Sequence, residues 1–330
     1  MKKILFLLLL VIGIIVGVSS WWYSAIKPLS TDSGVQDFLI TKGASASQIG
    51  NRLVQEGLIK NSLAFKFYVQ LTGAAGRIQA GEYSLSRNLN LIQIVNELLG
   101  GPKEIWVTIP EGFRREEIAK KFADSLEKED KNIFVDEFLQ NSSGSEGMLF
   151  PDTYIFPKTA SASAIVKKLK ATFETRIDSQ MEAEIASSGY SLNEVLTMAS
   201  IIERETVTTE ERPVVAGILF KRLKAGWPLQ ADATLQYAVS SSRCKGQIDC
   251  KWWEIPEVAD RQLTSPYNTY RNTGLPPYPI ANPGLPSIRA AIYPEDSDFW
   301  YYLHDKKGKI YYARTLEEHN ENVRKYITGT

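Results

Sequence analysis

The chain has 330 residues, enough for two or three domains with a sizeable core. Its 38 basic residues are matched by 38 acidic ones, so it lacks the basic surplus expected of a nucleic-acid binder. Seven tryptophans and 15 tyrosines, many of them in the last third, suit a sugar- or peptide-binding cleft as well as ordinary core packing.

The first 26 residues form a separate physical object. Lys2 and Lys3 precede residues 4–18, which carry no charge, and Ser19, Ser20, Trp21, Trp22 and Tyr23 continue the stretch to Ile26. At about 1.5 Å per residue, residues 4–26 would reach roughly 35 Å, sufficient to cross a bilayer with some tilt. The aromatic trio would lie in the far interface and the lysines would hold the N-terminus in the cytoplasm. A cleaved signal peptide is the rival, with Val18-Ser19-Ser20 as its small-residue site. On either reading the chain beyond about residue 27 lies outside the cytoplasm, where two cysteines can pair. Cys244 and Cys250, the only cysteines, are separated by five residues in a polar loop and are expected to form a disulfide. With no histidine nearby they do not complete a metal shell, and no metal or cofactor is expected.

From about Asp37 the pattern becomes strand, glycine, helix. Phe38-Leu39-Ile40-Thr41 is β-prone, Lys42-Gly43 turns the chain, and Ser45 or Ser47 can cap a helix carrying Ile49, Leu53 and Val54. A helix over 62–71, a strand near 81–85 and a helix with Leu91, Ile94, Val95, Leu98 and Leu99 follow. Trp106-Val107-Thr108-Ile109 then repeats the first unit. Ile49 and Ile118 each stand six residues after a glycine, and Leu53 and Phe122 ten after it. Two copies make a weak β-turn-α repeat and fall short of a solenoid. Ile40-Thr41-Lys42-Gly43 with Ser47, Ile49 and Leu53 resembles a LysM module, a small peptidoglycan-binding fold. A generic α/β packing unit reads the same way.

Residues 127–145 read as a solvated, charged helix end followed by a Ser/Gly loop. The run Glu146-Gly147-Met148-Leu149-Phe150-Pro151-Asp152-Thr153-Tyr154 reads as a strand broken by proline, and 165–185 as one long amphipathic helix.

The stretch from Ala199 to Tyr237 holds the candidate chemistry. Its helix, starting at Leu192, delivers Glu203 and Glu205 near its end, on opposite flanks of a broad apolar face, about 160° apart. Geometry alone does not choose between them. One is expected to be solvated, and an ordinary glutamate paired to Arg212 is the bland alternative for the other. Burial and the negative end of the helix dipole would raise such a carboxyl's pKa, as a general acid requires. Other chemistries are poorly supplied: there are two histidines, His304 and His319, and no HExxH, GxSxG or P-loop pattern. Ser125-Leu126-Glu127-Lys128 matches SxxK, a pattern short enough to arise by chance. Downstream, Ser265-Pro266-Tyr267-Asn268-Thr269-Tyr270 and Gly274-Leu275-Pro276-Pro277 are proline-stiffened and suit a binding wall.

Taken in order, ASIIERET, FKRLKAGWPLQAD, SPYNTYRNTGLPPYPIANPG and TLEEHNENV, with EGMLFPDTY before them, resemble the YceG-like endolytic murein transglycosylases over essentially the whole chain. The resemblance implies an α+β protein of three parts: a cytoplasmic tip and transmembrane helix at 1–27, a LysM-like region at 28–104, and a mixed α+β catalytic domain at 105–330. It implies a single-pass protein of the cell (inner) membrane with its catalytic part outside. It also implies cleavage within peptidoglycan strands between N-acetylmuramic acid and N-acetylglucosamine, leaving a 1,6-anhydro end. Peptidoglycan synthases are the implied partners and termination of strand growth the implied role. Carried over by residue, the catalytic glutamate is Glu205, because Glu205-Thr206 resembles the Glu-Ser pair of lytic transglycosylases. Gln230, Asp232, Tyr267, Asn268 and Tyr270 fall on motifs expected near the cleft, with Gln230, Asn268 and Tyr267 as candidates to orient the sugar. Ala233 stands where the family often has proline, and Ile310 where it often has histidine. The rival readings are a peptidoglycan-binding scaffold without catalysis and a lysozyme-like hydrolase, which needs a second carboxylate.

Overall fold

A computed structural model describes residues 2–31, 33–245 and 247–329, and of residues 2–5 and 7 the backbone alone. The side chains of Lys2 and Lys3, read above as holding the N-terminus, therefore lie outside the described residues. The fold is mixed α+β with one N-terminal apolar helix, and the chain divides into two units, Met1–Val107 with Ile155–Thr159, and Thr108–Tyr154 with Ala160–Thr330.

In the first unit, α1 (Lys2–Ile26) is a single helix whose described apolar side chains are mostly exposed. Its segment Leu8–Ile26 is long and apolar enough to cross a membrane, a test that a signal sequence also passes. After it come β1 (Val35–Ile40), α2 (Ala46–Gln55), α3 (Ser62–Leu71), β2 (Gly81–Ser86), α4 (Leu91–Leu99), β3 (Glu104–Thr108) and, from later in the chain, β4 (Thr153–Pro157). The strands form one sheet in the order β1-β2-β3-β4. β1 and β2 are antiparallel, with Phe38 opposite Tyr83, and β2 pairs antiparallel to β3 through Gly81 and Ile105. Alternation puts Phe38, Ile40, Tyr83 and Leu85 on the buried face, where they meet Ile49, Leu53, Phe65, Leu91, Ile94 and Leu98 from the helices. Ser45, not Ser47, caps α2, in a capping box with Gln48.

The second unit holds α5 (Arg115–Ser125), α6 (Lys131–Asn141), α7 (Ala162–Arg176), α8 (Ser179–Ser187), α9 (Leu192–Glu205), α10 (Arg212–Lys224), α11 (Asp232–Arg243) and α12 (Leu285–Ile292). The hairpin of β5 (Tyr301–His304) and β6 (Ile310–Ala313) and then α13 (Leu316–Asn322) follow. Three expectations need correction. The charged stretch at 127–145 is more than a helix end and a loop: it contains α6, capped by Asp130 and burying Phe134, Val135 and Phe138. The long helix at 165–185 is two helices, because Ile177 leaves helical geometry and Asp178 caps α8. Residues 146–147 form a turn and 148–152 are irregular, and regular strand structure begins only at Thr153, past Pro151.

Helix α9 is the axis of this unit. Ser191 caps it in a box with Glu194, and every residue from 195 to 202 is buried. It packs against α8, α10, α11 and α12. The polar members of that run are satisfied: Ser200 Oγ donates to the Thr197 carbonyl at 2.8 Å and accepts from Ile280 N at 3.0 Å. A helix buried on all sides fixes the position of whatever its last turn carries.

Candidate active site

Helix α9 stops at Thr206, whose backbone is extended (φ −117°), ahead of the β-branched Val207, Thr208 and Thr209. Thr206 Oγ1 donates back to the Ile202 carbonyl at 2.7 Å and so closes the helix end. Glu203 and Glu205 occupy the final turn, and the structure gives them different surroundings.

Glu203 is enclosed in an ion pair. Its side chain is 7% exposed and its Oε1 lies 3.0 Å from Arg212 Nη2, while Oε2 accepts the Gly284 N–H at 3.0 Å. Glu111 approaches the same guanidinium at 3.6 Å. Gly284 leaves room for the Glu111 carboxyl: a Cβ at that position would stand 1.9 Å from Glu111 Oε1 and would push that side chain aside. The pairing with Arg212 thus falls to Glu203, and the expectation that one of the two glutamates is solvated fails: both are at most partly exposed.

Glu205 opens onto a pocket of about 430 Å³. Tyr302 on β5 donates its hydroxyl to Oε2 at 3.0 Å, and the Ala233 N–H in the first turn of α11 points at Oε1 from 3.4 Å. Ala231, the N-cap of α11, supplies no side-chain cap, so the Glu205 carboxyl takes part of that role from a neighbouring helix. Burial pushes the Glu205 pKa up, and the nearby Asp232 charge adds to it. The Tyr302 hydroxyl, the Ala233 N–H and His304 pull it back, and the net direction is upward. Proline at 233 would carry no N–H, so the alanine of this chain gives its acid a donor that proline would not.

Three of the expected residues share this pocket. Gln230, Asp232 and Tyr270 line it with Glu205. The Tyr270 hydroxyl donates to Asp232 Oδ1 at 2.6 Å. Gln230 is held in the left-handed region (φ +53°) by a bond from its N–H to the Thr269 carbonyl at 3.1 Å. A non-glycine residue in that region costs of order 1–3 kcal/mol and persists only where its surroundings dictate it. Asn268 is placed elsewhere. It is fully buried, and its Nδ2 donates to the Arg261 and Leu263 carbonyls at 3.0 and 2.8 Å, so its amide shapes the loop that carries Tyr270. Tyr267 is also outside the pocket, its ring tilted against that of Tyr237 at 4.6 Å in a column that continues to Arg114 and Trp252. Cys244 and Cys250 are joined by a disulfide just beyond α11.

The pocket's opposite wall was not singled out from sequence. It comprises Tyr301, Tyr302 and His304 of β5, Arg222 of α10, and His319 of α13. His304 Nε2 lies 3.2 Å from Glu211, which also accepts the Thr208 N–H at 2.9 Å. Ile310 pairs directly with His304 across the hairpin. Arg222 is buried and spends its donors on the Leu229 and Trp300 carbonyls, bracing the hairpin. The only available signal was the density of tyrosines around the terminal strands, which names no partner.

A hollow of about 410 Å³ also opens beside Arg114, Tyr237 and Trp252. Its Glu116 is bound by Arg114 Nε at 2.9 Å. Glu146 is a different kind of group: burial pushes its pKa up to about 8. Its oxygens accept from Asn282 Nδ2 at 2.7 Å and Arg115 N at 3.2 Å, and it is 7% exposed. That carboxyl ties 113–115 to 282, with both oxygens engaged by protein. Among the described residues, no three His, Cys, Asp or Glu side chains gather as metal ligands would.

Comparison with known proteins places these features in context. The profile of the YceG-like family matches residues 38–325. A Bacillus subtilis (strain 168) protein named endolytic murein transglycosylase is 32% identical, over 96% of this chain and 92% of its own length. A protein of the same name from Streptococcus pneumoniae serotype 2 (strain D39) is 30% identical over 88% of this chain, which spans 58% of that longer relative. The crystal structure of a YceG-like protein from Listeria monocytogenes superposes with a TM-score of 0.62 at 31% identity, over 87% of this chain and 98% of that one.

Proposed function

The chain belongs to the YceG-like family, and from that premise we propose that it is an endolytic murein transglycosylase with Glu205 as its acid–base residue. The observation that carries the assignment is the division of labour on α9. Glu203 is consumed by Arg212, whereas Glu205 faces an open pocket with its carboxyl biased toward the protonated form.

The reaction needs one carboxyl. Glu205 gives its proton to the glycosidic oxygen linking N-acetylmuramic acid to N-acetylglucosamine as the bond from C1 to that oxygen breaks. The muramic acid 6-hydroxyl then attacks C1, and the Glu205 carboxylate takes its proton. One C–O bond is exchanged for another, the glutamate returns to its starting state, and no water is consumed. Tyr302 orients the carboxyl, while Gln230 and Asp232 face the space where the sugar would lie. Dipoles fixed before the reaction are worth most in a recess of this kind.

Digestion of purified glycan strands, with mass analysis of the products, tests the reading. Anhydro-ended fragments from inside the strand are expected, with their loss in Glu205→Gln. Reducing ends would instead make the enzyme a hydrolase, with Asp232 as the second carboxylate. Tight binding without products would make it a scaffold.

We further propose that α1 is retained as a single-pass anchor with its N-terminus in the cytoplasm and the second unit outside. The uncharged, largely apolar run of Leu8–Ile26, with Trp21, Trp22 and Tyr23 near its end, supports this. The boundaries 1–27, 28–104 and 105–330, a LysM-like glycan-binding role for the middle part, a part in ending strand growth, and peptidoglycan synthases as neighbours belong to the same proposal.

A further inference from the structure

Helix α3 carries more apolar surface than its own unit uses. Ala64, Phe65 and Val69 are buried in the core. Leu63, Phe67 and Leu71, spaced four apart and therefore aligned along one side, are 68%, 55% and 73% exposed. Scattered exposed leucines are unremarkable; a contiguous apolar stripe marks a binding surface.

The stripe continues onto the end of α1. Trp22 meets the rings of Phe67 and Tyr68 at centroid distances of 5.9 and 6.2 Å. An open groove of about 680 Å³ runs between the helices, lined by Val18, Trp21 and Trp22 on one side and by Leu63, Phe67 and Leu71 on the other. Val18 lies eight residues before Ile26, about 12 Å back along the helix axis. Helices that lie in a membrane surface sink their apolar face about 5–10 Å below the headgroups. The exposed side of α3 is therefore level with the part of α1 that would cross the outer boundary of the hydrocarbon. Lys66 also borders the groove, placed to meet an anionic headgroup.

We propose that α3 lies in the bilayer interface as a second membrane contact, its Leu63, Phe67 and Leu71 stripe inserted among lipid tails beside the Trp21 and Trp22 belt. The inference rests on α1 being a retained anchor. One contact lets a tethered body swivel; a second fixes its tilt, so the first unit would be held in one orientation against the membrane.

The test uses the full chain in nanodiscs of phosphatidylethanolamine and phosphatidylglycerol. Leu71→p-benzoylphenylalanine places a photoreactive group in the stripe, and Glu97→p-benzoylphenylalanine places one on the exposed side of α4. After illumination, lipid adducts at 71 are expected to exceed those at 97 by about ten-fold or more. Equal yields from an intact chain would overturn the proposal and leave the anchor standing. Crosslinks from 71 to a second copy or another protein, without lipid, would overturn it in favour of a protein partner. A chain lacking its first 20 or so residues by mass would sink the anchor reading itself.

Discussion

Tyr302 reaches across 97 positions of sequence to donate its hydroxyl to Glu205 Oε2 at 3.0 Å. That one bond joins the end of the central helix to the terminal hairpin; burial raises the pKa of the carboxyl, and the bond orients it and offsets part of that rise.

Tyr302→Phe is expected to lower kcat/KM about ten-fold, the worth of one hydrogen bond to a charged group. The pH profile gives the sharper readout. Glu205 starts the cycle protonated, so activity falls as pH rises through its pKa. The hydroxyl stabilises the carboxylate; without it the pKa climbs and the alkaline limb moves to higher pH. An unmoved limb would show that Tyr302 has no influence on the acid.

Glu203 and Glu205 are expected to fail in different ways. Glu203→Ala leaves the buried Arg212 guanidinium with only the longer 3.6 Å pairing to Glu111 and should cost about 3 kcal/mol of stability, measured by denaturant unfolding. Glu205→Gln keeps its packing and should unfold close to wild type while losing about 100-fold or more in turnover. The reverse pattern would exchange the two roles.

Much of this site was legible in the sequence. The apolar run of Leu192–Glu205 gave the helix, and Arg212 was identified as an ion-pair partner within reach. What periodicity could not supply was the direction of each carboxyl, because both flank the buried face and the choice is made by α10 and β5, which pack from outside. Asn268 shows the opposite limit. Its place beside Tyr267 and Tyr270 looks like a cleft residue, yet its amide is taken up by the Arg261 and Leu263 carbonyls, which only the folded loop brings near. Helix α6 was hidden because the charges of residues 127–131 outweighed Phe134, Val135 and Phe138, one turn of which is too short to announce a helix.

Glu146 predicts a pH dependence of stability. Its folded pKa, about 8, lies above that of an unfolded glutamate, so the folded state holds the extra proton between those values. Its contribution is fully present at low pH and is lost as pH rises toward 8. Thermal melts from pH 5 to 9 should show this decline, flattened in Glu146→Gln. An unchanged slope in that variant would place the titration elsewhere.

The disulfide closes a short loop, so its effect should be modest. Replacing Cys244 and Cys250 by alanine together should cost about 2 kcal/mol by loop-closure entropy. The Glu205 pocket should keep its turnover, since neither cysteine lines it. Intact mass before and after reduction reports the bond itself.

The position of the hairpin has a temporal consequence. A chain is made from its N-terminus, so the helix bearing Glu205 is complete long before Tyr301–His304 and α13 exist. Until those last segments arrive the carboxyl lacks its hydroxyl donor and the recess lacks a wall. A polypeptide stalled or clipped short of them would carry every residue of its acid helix and still lack both the Tyr302 donor and that wall of the pocket. The order of synthesis thus delays the cutting edge: the acid exists well before the groups that orient and enclose it.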